Sequence, residues 1–259
     1  MKNYYLLINP KGGHKKGFYI FNKIKSIFEN SATTLTQIKT EYAGHAFDLA
    51  KTLDYNKYDG ICAIGGDGTM YEIINGMLKR EDKKTLPIGL ITGGTGNSFM
   101  YDLDCLDPIE ASKRIVQHKL RPLDIAKIDA NGHLYYAFNI VGWGLATDAG
   151  KLAEKLRWLG GIRYDVASVI EVLKGDNRIA ELIIDNEVIK DNFCFIIGCN
   201  TIHTGKAMKM APLAKINDGK IDLIIVRKTS KLKLLKLFPK LFKGDHINSP
   251  LVDYRQVTN

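Results

Sequence analysis

A glycine-rich run with one acidic and one hydroxyl residue, Gly65-Gly66-Asp67-Gly68-Thr69, is the clearest chemical signal in the sequence. It follows an apolar run that predicts a buried strand at 60–64 and precedes a predicted helix that begins near Met70. Glycines permit positive φ angles and close backbone approach, so amides at a helix N-terminus can form a nest for an anion. Asp67 would repel a bare phosphate but suits a magnesium–nucleotide complex. The loop therefore predicts a site for a magnesium–nucleotide complex; a tight turn capped by Asp67 is the alternative.

Two further glycine-rich segments each follow a predicted strand. The segment from Asn9 to Gly13 ends the first strand, and the segment from Thr92 to Ser98 ends the fourth. Each segment alone is compatible with an ordinary turn. The carboxyl ends of parallel strands meet at one edge of a sheet, so the three loops are predicted to converge on one nucleotide pocket. The pocket is not a Walker P-loop, because no Gly-Lys-Ser/Thr follows a four-residue spacer.

The elements that must position these loops form a βα repeat in the first half of the chain. Uninterrupted apolar runs suit strands that are buried on both faces of a parallel sheet. We predict an α/β nucleotide-binding domain over residues 1–125. The predicted strands are 4–8, 34–38, 60–64 and 87–91, and the predicted helices are 18–28, 43–53 and 70–78.

The pattern after residue 125 changes to short strand-like runs. We predict a second, mainly β and sandwich-like domain over residues 126–259, interrupted by helices at 152–173 and 230–243. The sequence defines the boundary between the two domains only approximately, because no long linker marks it. The strand-like runs around and within this domain are 124–128, 134–141, 179–184, 193–197 and 221–226.

The formal net charge of +9 implies affinity for something anionic, such as nucleotide phosphate or anionic lipid. Nucleic acid is not expected as a partner, because the sequence has no finger, aromatic RNA-binding signature or basic heptad array. No apolar run approaches the roughly 20 residues of a membrane span, and the N-terminus lacks signal-peptide features. We therefore expect a cytoplasmic protein whose four cysteines are reduced core thiols.

The predicted helix at 230–243 combines lysines with an apolar stripe at helical spacing. The stripe can pack on the β domain while the lysines face water. Alternatively, the lysine face contacts an anionic membrane surface transiently, which would place the protein peripherally at the inner membrane surface. The lysines are Lys233, Lys236, Lys240 and Lys243, and the stripe is Leu232, Leu235, Phe238 and Phe242.

The order of motifs along nearly the whole chain resembles the diacylglycerol kinase catalytic domain family, which includes bacterial lipid kinases and sphingosine and ceramide kinases. The resemblance implies an ATP-dependent enzyme that transfers the γ-phosphoryl group to a membrane-lipid hydroxyl, with diacylglycerol as the default acceptor. The motifs are Asn9-Pro10-x-x-Gly13, Thr40-Glu41, Gly44-His45-Ala46, Gly65 to Thr69, Glu72, Gly94-Thr95-x-Asn97, Arg121 to Asp124, Asn139, Arg157 to Tyr164, Met210 to Ala214 and Asp218-Gly219.

The resemblance also implies two sets of site residues. A structural Mg²⁺ would involve Asp218 and the carbonyls of Lys215 and Lys220, linked through water towards Asp124 and the ATP site. The implied ATP contacts are Asn9, Pro10, Lys11, Gly12, Gly13, Thr40, Gly66, Asp67, Gly68, Thr69, Met70, Tyr71, Glu72 and Thr95.

The sequence departs from the family pattern at several positions. Tyr71, Thr92 and Ser98 stand where Asn, Pro and Asp are usual in the family. Family members also carry an Asp-Gly-Glu segment after the Asp218-Gly219 region, and its Asp is the expected base for the lipid hydroxyl. This sequence has none, so the catalytic base is unidentified and either a truncated fragment or altered chemistry is expected.

Two alternative functions therefore stay open beside the lipid kinase. One is a non-catalytic relative that binds nucleotide, lipid or both. The other is an NAD kinase, because that family shares a Gly-Gly-Asp-Gly loop. A homodimer is one option for the oligomeric state. His45 is expected to cap or pack a helix start, and His203 either lines the substrate cleft or serves no chemistry.

Overall fold

The computed structural model describes residues 1–10, 16–94, 97–175, 178–205 and 207–258, except for the side chains of residues 157, 161 and 165. The chain forms two compact units. The first contains residues 1–121 and 127–136, and the second contains residues 122–126 and 137–259. Among the described residues, no helix combines the length and the apolar character that crossing a bilayer requires.

The first unit contains a four-stranded parallel sheet in the order β2-β1-β3-β4, with its helices in the connections between and after the strands. This arrangement confirms the predicted α/β fold with an N-terminal βα repeat. The strands are β1 Lys2–Ile8, β2 Thr33–Lys39, β3 Gly60–Gly65 and β4 Ile88–Thr92, and the helices are α1 Gly17–Glu29, α2 His45–Thr52, α3 Asp67–Leu78, α4 Ser98–Asp102 and α5 Pro108–Val116.

The two central strands, β1 and β3, have unbroken apolar sequences because they are buried. Every residue of β3 is buried, and β1 is buried from Tyr4 to Ile8. Strand β2 lies at the sheet edge, and its side chains are alternately exposed and half-buried over much of its length. The four cysteines of the chain are all described, are buried and form no disulfide, and burial raises the pKa of the Cys62 thiol to about 12. They are core thiols, as the sequence predicts.

Helices α2 and α3 pack closely because α3 carries a glycine at their contact. A Cβ atom added to Gly76 would fall on the backbone carbonyl of Phe47 and reach the Cβ of Ala50 at 3.0 Å. Ala46 and Ala50 supply the small buried face of α2 at this contact. The spacing of the two helices therefore depends on the missing side chain at position 76.

A β-hairpin consisting of β5 Ala126–Ala130 and β6 His133–Ala137 follows the first domain. Its turn residues Asn131 and Gly132 both have positive φ, the conformation that Asn-Gly favours in two-residue hairpin turns. Asn75 of α3 is buried and binds this hairpin through the backbone of Tyr136, with distances of 2.8 Å to its carbonyl and 3.0 Å to its amide. Residues 127–136 consequently group with the first unit, whereas the sequence analysis places them in the second domain.

The second unit is built on an antiparallel sheet in the order β13-β12-β9-β7, with β8 also paired to β9. This confirms the prediction of a mainly β second domain. The strands are β7 Ile140–Gly144, β8 Arg178–Ile184, β9 Glu187–Cys199, the short pair β10 His203–Thr204 and β11 Met208–Lys209, β12 Ile221–Arg227 and β13 Val252–Val257. The helices are α6 Leu145–Lys155, α7 Arg163–Lys174 and α8 Lys231–Leu237, with 3₁₀ helices at Arg157–Ile162, Phe238–Phe242 and Asp245–Asn248.

Three predicted elements of this unit are divided in the structure. The predicted strand at 134–141 is broken between β6 and β7, and the predicted helix at 152–173 is interrupted by Gly160, whose φ of 61° is not helical. The predicted helix at 230–243 continues as α-helix only to Leu237. Pro239 then lacks the amide that the next helical hydrogen bond needs, and a 3₁₀ helix follows.

The predicted apolar stripe of the lysine-rich segment is also wrong. The residues of α8 that pack inward are Leu234 and Leu237, each 6% exposed, whereas Leu232 is 72% exposed. Leu235 and Phe238 are half-buried, and Phe242 is exposed. Within α8 the inward face is that of Leu234 and Leu237 rather than that of Leu232 and Leu235. Beyond Leu237 the 3₁₀ geometry ends the 3.6-residue period on which the prediction relied.

We expect Gly76→Ala to lower the free energy of unfolding by roughly 2 kcal/mol, because overpacking against the α2 backbone outweighs the higher helix propensity of alanine. Gly68→Ala in the same helix is the matched control, since a Cβ there meets nothing within 4 Å. Urea denaturation measures both variants. Equal midpoints for Gly76→Ala and Gly68→Ala would show that the α2–α3 spacing does not depend on position 76.

Candidate functional site

The loops that follow β3 and β4 touch through their glycines. The amide of Gly93 donates to the carbonyl of Gly65 at 2.7 Å. A Cβ added to Gly94 would lie 2.7 Å from the Cα of Gly66, and one added to Gly66 would lie 3.1 Å from the Cα of Gly94. Only glycine permits this backbone-to-backbone approach, so two of the three predicted loops meet at one sheet edge.

Asp67 joins the same two loops by its carboxylate. Its two oxygens accept hydrogen bonds from the first amides of α4, at 2.7 Å from Ser98 and 3.2 Å from Phe99. A carboxylate at a helix N-terminus is stabilised by the exposed amides and by the helix dipole. Asp67 therefore caps α4, the neighbouring helix, although it stands in the first turn of α3.

No described side chain caps the N-terminus of α3 itself. Its N-cap residue is Gly66 in an extended conformation, and Gly68 in the first turn is exposed. The first amides of a helix need partners from outside the helix, and an anion is one such partner. The geometry of the Gly66–Gly68 segment thus suits a phosphate group.

The first loop reaches this segment through Asn9. Its backbone amide donates to the carbonyl of Ile64 at 3.2 Å, and its side-chain amide lies 3.4 Å from the hydroxyl of Thr69. The Thr69 side chain in turn lies against Gly65, where a Cβ would come within 2.6 Å of its hydroxyl oxygen. Asn9 and Thr69 are therefore brought together at the ends of β1 and β3.

Glu72 of α3 caps a neighbouring helix, α2, in the same way as Asp67 caps α4. Its carboxylate accepts hydrogen bonds from the amides of Gly44 at 3.0 Å and Ala46 at 3.2 Å, at the N-terminus of α2. His45 between them accepts from the Glu41 amide at 3.1 Å and stacks on the ring of Tyr42. The role expected for His45, packing at a helix start, agrees with these contacts.

The other predicted ATP contacts have distinct environments. Thr40 is buried, and its amide donates to the carbonyl of Ile8 at 3.0 Å. Met70 is a core side chain, so it can meet a ligand only through its backbone. Tyr71 is partly exposed, and desolvation together with nearby Tyr135 raises its pKa. Lys11, Gly12, Gly13 and Thr95 lie outside the described residues, and Pro10 stands at their border.

The predicted metal site lies in the second unit. The Asp124 carboxylate accepts from the Gly219 amide at 2.6 Å, and the Asp124 amide donates to the carbonyl of Ile216 at 2.7 Å. One oxygen of Asp218 accepts from the Lys220 amide at 3.1 Å. The structure therefore brings Asp124 into contact with the turn that carries Lys215, Asp218 and Lys220.

The donor set at this turn fits a hard cation in its chemistry. Asp124 and Asp218 each have one carboxylate oxygen without a hydrogen bond from the described residues. No cluster of three His, Cys, Asp or Glu side chains occurs in the described part of the chain, so backbone carbonyls would complete any coordination. Oxygen-only ligands of this kind are those that Mg²⁺ and Ca²⁺ prefer.

An apolar cavity of about 200 Å³ in the second unit has no counterpart in the sequence analysis. The cavity lies between the sheet and the helices α6, α7 and α8. His203 is not among its lining residues, although its neighbour Thr204 is. Representative wall residues are Ile140, Leu145, Ala149, Phe195, Leu234 and Leu237.

One residue that lines this cavity is His246, whose side chain is almost fully buried, at 1% exposure. Its Nε2 is 2.8 Å from the carbonyl oxygen of Met210. Burial lowers the pKa of His246 below its usual value, which favours the neutral ring. The sequence analysis does not identify His246, because none of the family motifs includes it and only the fold brings it to Met210.

Two family models divide the chain between them. The diacylglycerol kinase catalytic domain matches residues 3–128, and the YegS C-terminal NAD kinase beta sandwich-like domain matches residues 139–259. Residues 3–128 therefore carry a diacylglycerol kinase catalytic domain, which confirms the resemblance seen in the motifs.

Several named proteins are similar to this chain over almost its entire length. Sphingosine kinase 1 of Arabidopsis thaliana is 30% identical over 99% of this chain and 63% of its own length. The diacylglycerol kinase of Bacillus subtilis is 28% identical, covering 98% of this chain and 83% of the relative. A crystal structure of a diacylglycerol kinase from Bacillus anthracis superposes with a TM-score of 0.78 at 25% identity, over 99% of this chain and 83% of that one. The chain thus spans less than two thirds of the sphingosine kinase that it resembles.

Proposed function

We propose that the chain binds MgATP at the glycine loops and transfers the γ-phosphoryl group to a hydroxyl of a membrane lipid, with diacylglycerol as the default acceptor. The observation that carries the proposal is the N-terminus of α3, which no described side chain caps and which lies beside the contact of two glycine loops, in a chain that matches a lipid kinase domain. The named relatives include a diacylglycerol kinase and a sphingosine kinase. A sphingoid base is therefore an equal candidate for the acceptor.

Phosphoryl transfer depends mainly on positioning and on charge stabilisation, and the loop supplies both. Amides at the start of α3 would hold the phosphates. The Asp67 carboxylate fixes α4 through two hydrogen bonds, yet a carboxylate has about four lone-pair sites, so it keeps sites for water on a hydrated cation. Bound Mg²⁺ would neutralise charge on the phosphates. The base for the lipid hydroxyl stays unassigned.

We propose Asp124 and Asp218, with the carbonyls of Lys215 and Lys220, as the residues that hold a structural Mg²⁺. Their free carboxylate oxygens support this assignment. We assign the lipid chain to the apolar cavity of the second unit, since its walls are almost entirely hydrocarbon and burial of a chain there removes apolar surface from water.

We expect the purified chain to transfer radiolabelled phosphate from ATP to lipid in vesicles that contain diacylglycerol or sphingosine. Asp67→Asn should reduce kcat/KM by roughly 10- to 100-fold, because hydrogen bonds to a charged group contribute about 1.5–3 kcal/mol. Asp107→Asn is the matched control, since Asp107 also caps a helix of the first unit, α5, by accepting from the Ile109 amide at 3.2 Å. NAD is included as a competing acceptor.

Each alternative outcome of this assay has a definite meaning. Labelled NAD in place of labelled lipid would replace the proposal with an NAD kinase. MgATP binding by calorimetry without transfer to any acceptor would establish a non-catalytic nucleotide-binding protein. Equal losses in Asp67→Asn and Asp107→Asn would mean that the Gly65–Thr69 loop has no special part in the reaction.

We expect Asp218→Asn to raise the Mg²⁺ concentration needed for half-maximal activity while leaving the KM for MgATP nearly unchanged at saturating Mg²⁺. The physical reason is that a hard cation loses its formal negative ligand. Asp185→Asn, in the turn between β8 and β9, removes the same charge from the same unit. If the Mg²⁺ titrations of the two variants coincide, Asp218 is only a turn residue.

We further propose that the lysine-rich segment from α8 to the following 3₁₀ helix gives a transient, peripheral contact with the anionic cytoplasmic face of a membrane. The proposal of a membrane contact is supported by five exposed side chains in this segment, which are Leu232, Lys233, Lys236, Lys240 and Lys243. Each lysine near an anionic surface contributes about 1 kcal/mol.

We expect simultaneous replacement of Lys233, Lys236, Lys240 and Lys243 by alanine to weaken binding to vesicles of phosphatidylcholine and phosphatidylglycerol by at least roughly tenfold. Vesicle sedimentation measures the binding. The matched control replaces four exposed lysines of the first unit and removes the same net charge. Equal weakening in both would mean that total charge, and not this segment, attracts the membrane. The control positions are Lys25, Lys51, Lys57 and Lys113.

A further inference from the structure

The hairpin formed by β8 and β9 has one apolar face in the core of the second unit and another in solvent. Its inner side chains Ile184 and Phe193 are buried in a hydrophobic cluster. On the outer face, Ile179 is 76% exposed, Ile183 is 63% exposed and Val188 is 59% exposed. β-Branched residues stabilise a sheet when something packs on them, so three exposed ones on one face indicate a surface that a partner covers.

The strand register gives this outer face a regular pattern. Ile183 lies opposite Val188, and Glu181 lies opposite Lys190. Side chains two positions apart lie on the same face of a strand, so Ile179 is the other neighbour of Glu181 along β8. The outer face therefore has one acidic and one basic residue side by side, with apolar residues before and after the acidic one.

Ion pairs bind the hairpin to the neighbouring strands of the sheet. Glu187 pairs with Arg255 of β13, and Asp191 pairs with Arg227 of β12 at 3.1 Å. Together with the buried inner face, these pairs fix the hairpin on the sheet. The outer face is thus presented to solvent in one orientation, which lowers the entropy cost of binding a partner.

The charges on the outer face restrict the kind of partner. Glu181 and Lys190 are exposed, and neither takes part in an ion pair among the described residues. An anionic membrane would attract Lys190 and repel Glu181, so it does not match this face. A partner that presents one basic and one acidic residue side by side on an apolar surface would match both. A second copy of the same face has this property.

The charge pattern also selects how two copies face each other. With a two-fold axis parallel to the strands, β8 of each copy lies over β9 of the other. Glu181 then faces Lys190 of the other copy twice, and Ile183 faces Val188 twice. With an axis across the strands, β8 would lie over β8, and the two copies of Glu181 would face each other. Like charges in this position are destabilising, so the first arrangement is favoured.

We propose that the outer face of the β8–β9 hairpin is the contact between two copies of this chain, related by a two-fold axis parallel to the strands. The face of one hairpin is at the small end of specific protein interfaces, so the dimer should form at micromolar rather than nanomolar concentrations. The inference goes beyond the proposed function and does not depend on the reaction or on the acceptor lipid.

The test is sedimentation velocity of the whole chain over a series of concentrations, without ATP or lipid. We expect wild-type protein to change from monomer to dimer as the concentration rises. Glu181→Lys and Lys190→Glu should each weaken dimerisation by at least roughly tenfold, because like charges then face each other twice. An equimolar mixture of the two variants should regain dimerisation, because one variant presents two basic residues and the other presents two acidic residues.

Glu29→Lys and Lys25→Glu on α1 are the matched controls, since they make the same charge changes on an exposed part of the first unit and should leave dimerisation unchanged. Ile183→Asn removes an apolar contact instead of a charge and should also weaken the dimer. Its urea midpoint, measured on the monomer at low concentration, should stay close to that of wild-type protein, because Ile183 is exposed in the single copy.

The proposal is overturned if wild-type protein stays monomeric at every concentration, or if the charge-reversed variants dimerise as well as wild-type protein does. It is also overturned if the mixture of the two variants stays monomeric, because β8 would then not lie over β9 of the other copy. Sedimentation does not depend on turnover, so a dimer that transfers no phosphate would leave this inference standing and contradict only the proposed kinase activity.

Discussion

The approach of Gly66 to Gly94 is the contact around which the loop edge of the first unit is arranged. The two Cα atoms are so close that either added Cβ would intrude on the opposite backbone. With the loops this near, the carboxylate of Asp67 reaches the first amides of α4 at 2.7 and 3.2 Å. A side chain at either glycine would separate the loops and lengthen both hydrogen bonds. The glycines therefore determine where α4 begins, in addition to leaving space for a ligand.

Helix α3 caps the N-termini of two neighbouring helices, while no described side chain caps its own N-terminus. Asp67 caps α4 and Glu72 caps α2, each with one carboxylate that accepts from two amides. Carboxylate and phosphate are interchangeable partners for such amides, because both present negatively charged oxygens to the positive end of the helix. Among the described residues, no side chain supplies an anion to the start of α3, so its first amides are available for one from a ligand.

How far the sequence predicts the molecule depends on how local the determining interaction is. The strands β1 to β4 agree with the sequence prediction to within about two residues. For the central strands β1 and β3 the reason is burial on both faces, which demands unbroken apolar runs. The sequence also predicts the Gly65–Thr69 loop, because residues that are adjacent in the chain form it. It does not predict the hydrogen bond between Asp67 and Ser98, because these residues are 31 positions apart and only the folded sheet edge brings them together. The same limit applies to the cavity, whose walls range from Ile140 to His246 without any shared motif.

The walls of the cavity in the second unit account for affinity better than for selectivity. Apolar walls such as Phe195 and Leu237 stabilise any alkyl chain in proportion to the buried area, so they distinguish poorly between lipids of similar length. A polar atom that faces a ligand distinguishes much better, because a ligand without the complementary group leaves that atom buried and unpaired. His246 does not supply such an atom, since the carbonyl of Met210 holds its Nε2 and its Nδ1 has almost no accessible surface. Under the proposed function, the choice between acceptor lipids therefore depends on contacts with their polar groups rather than on the hydrocarbon wall.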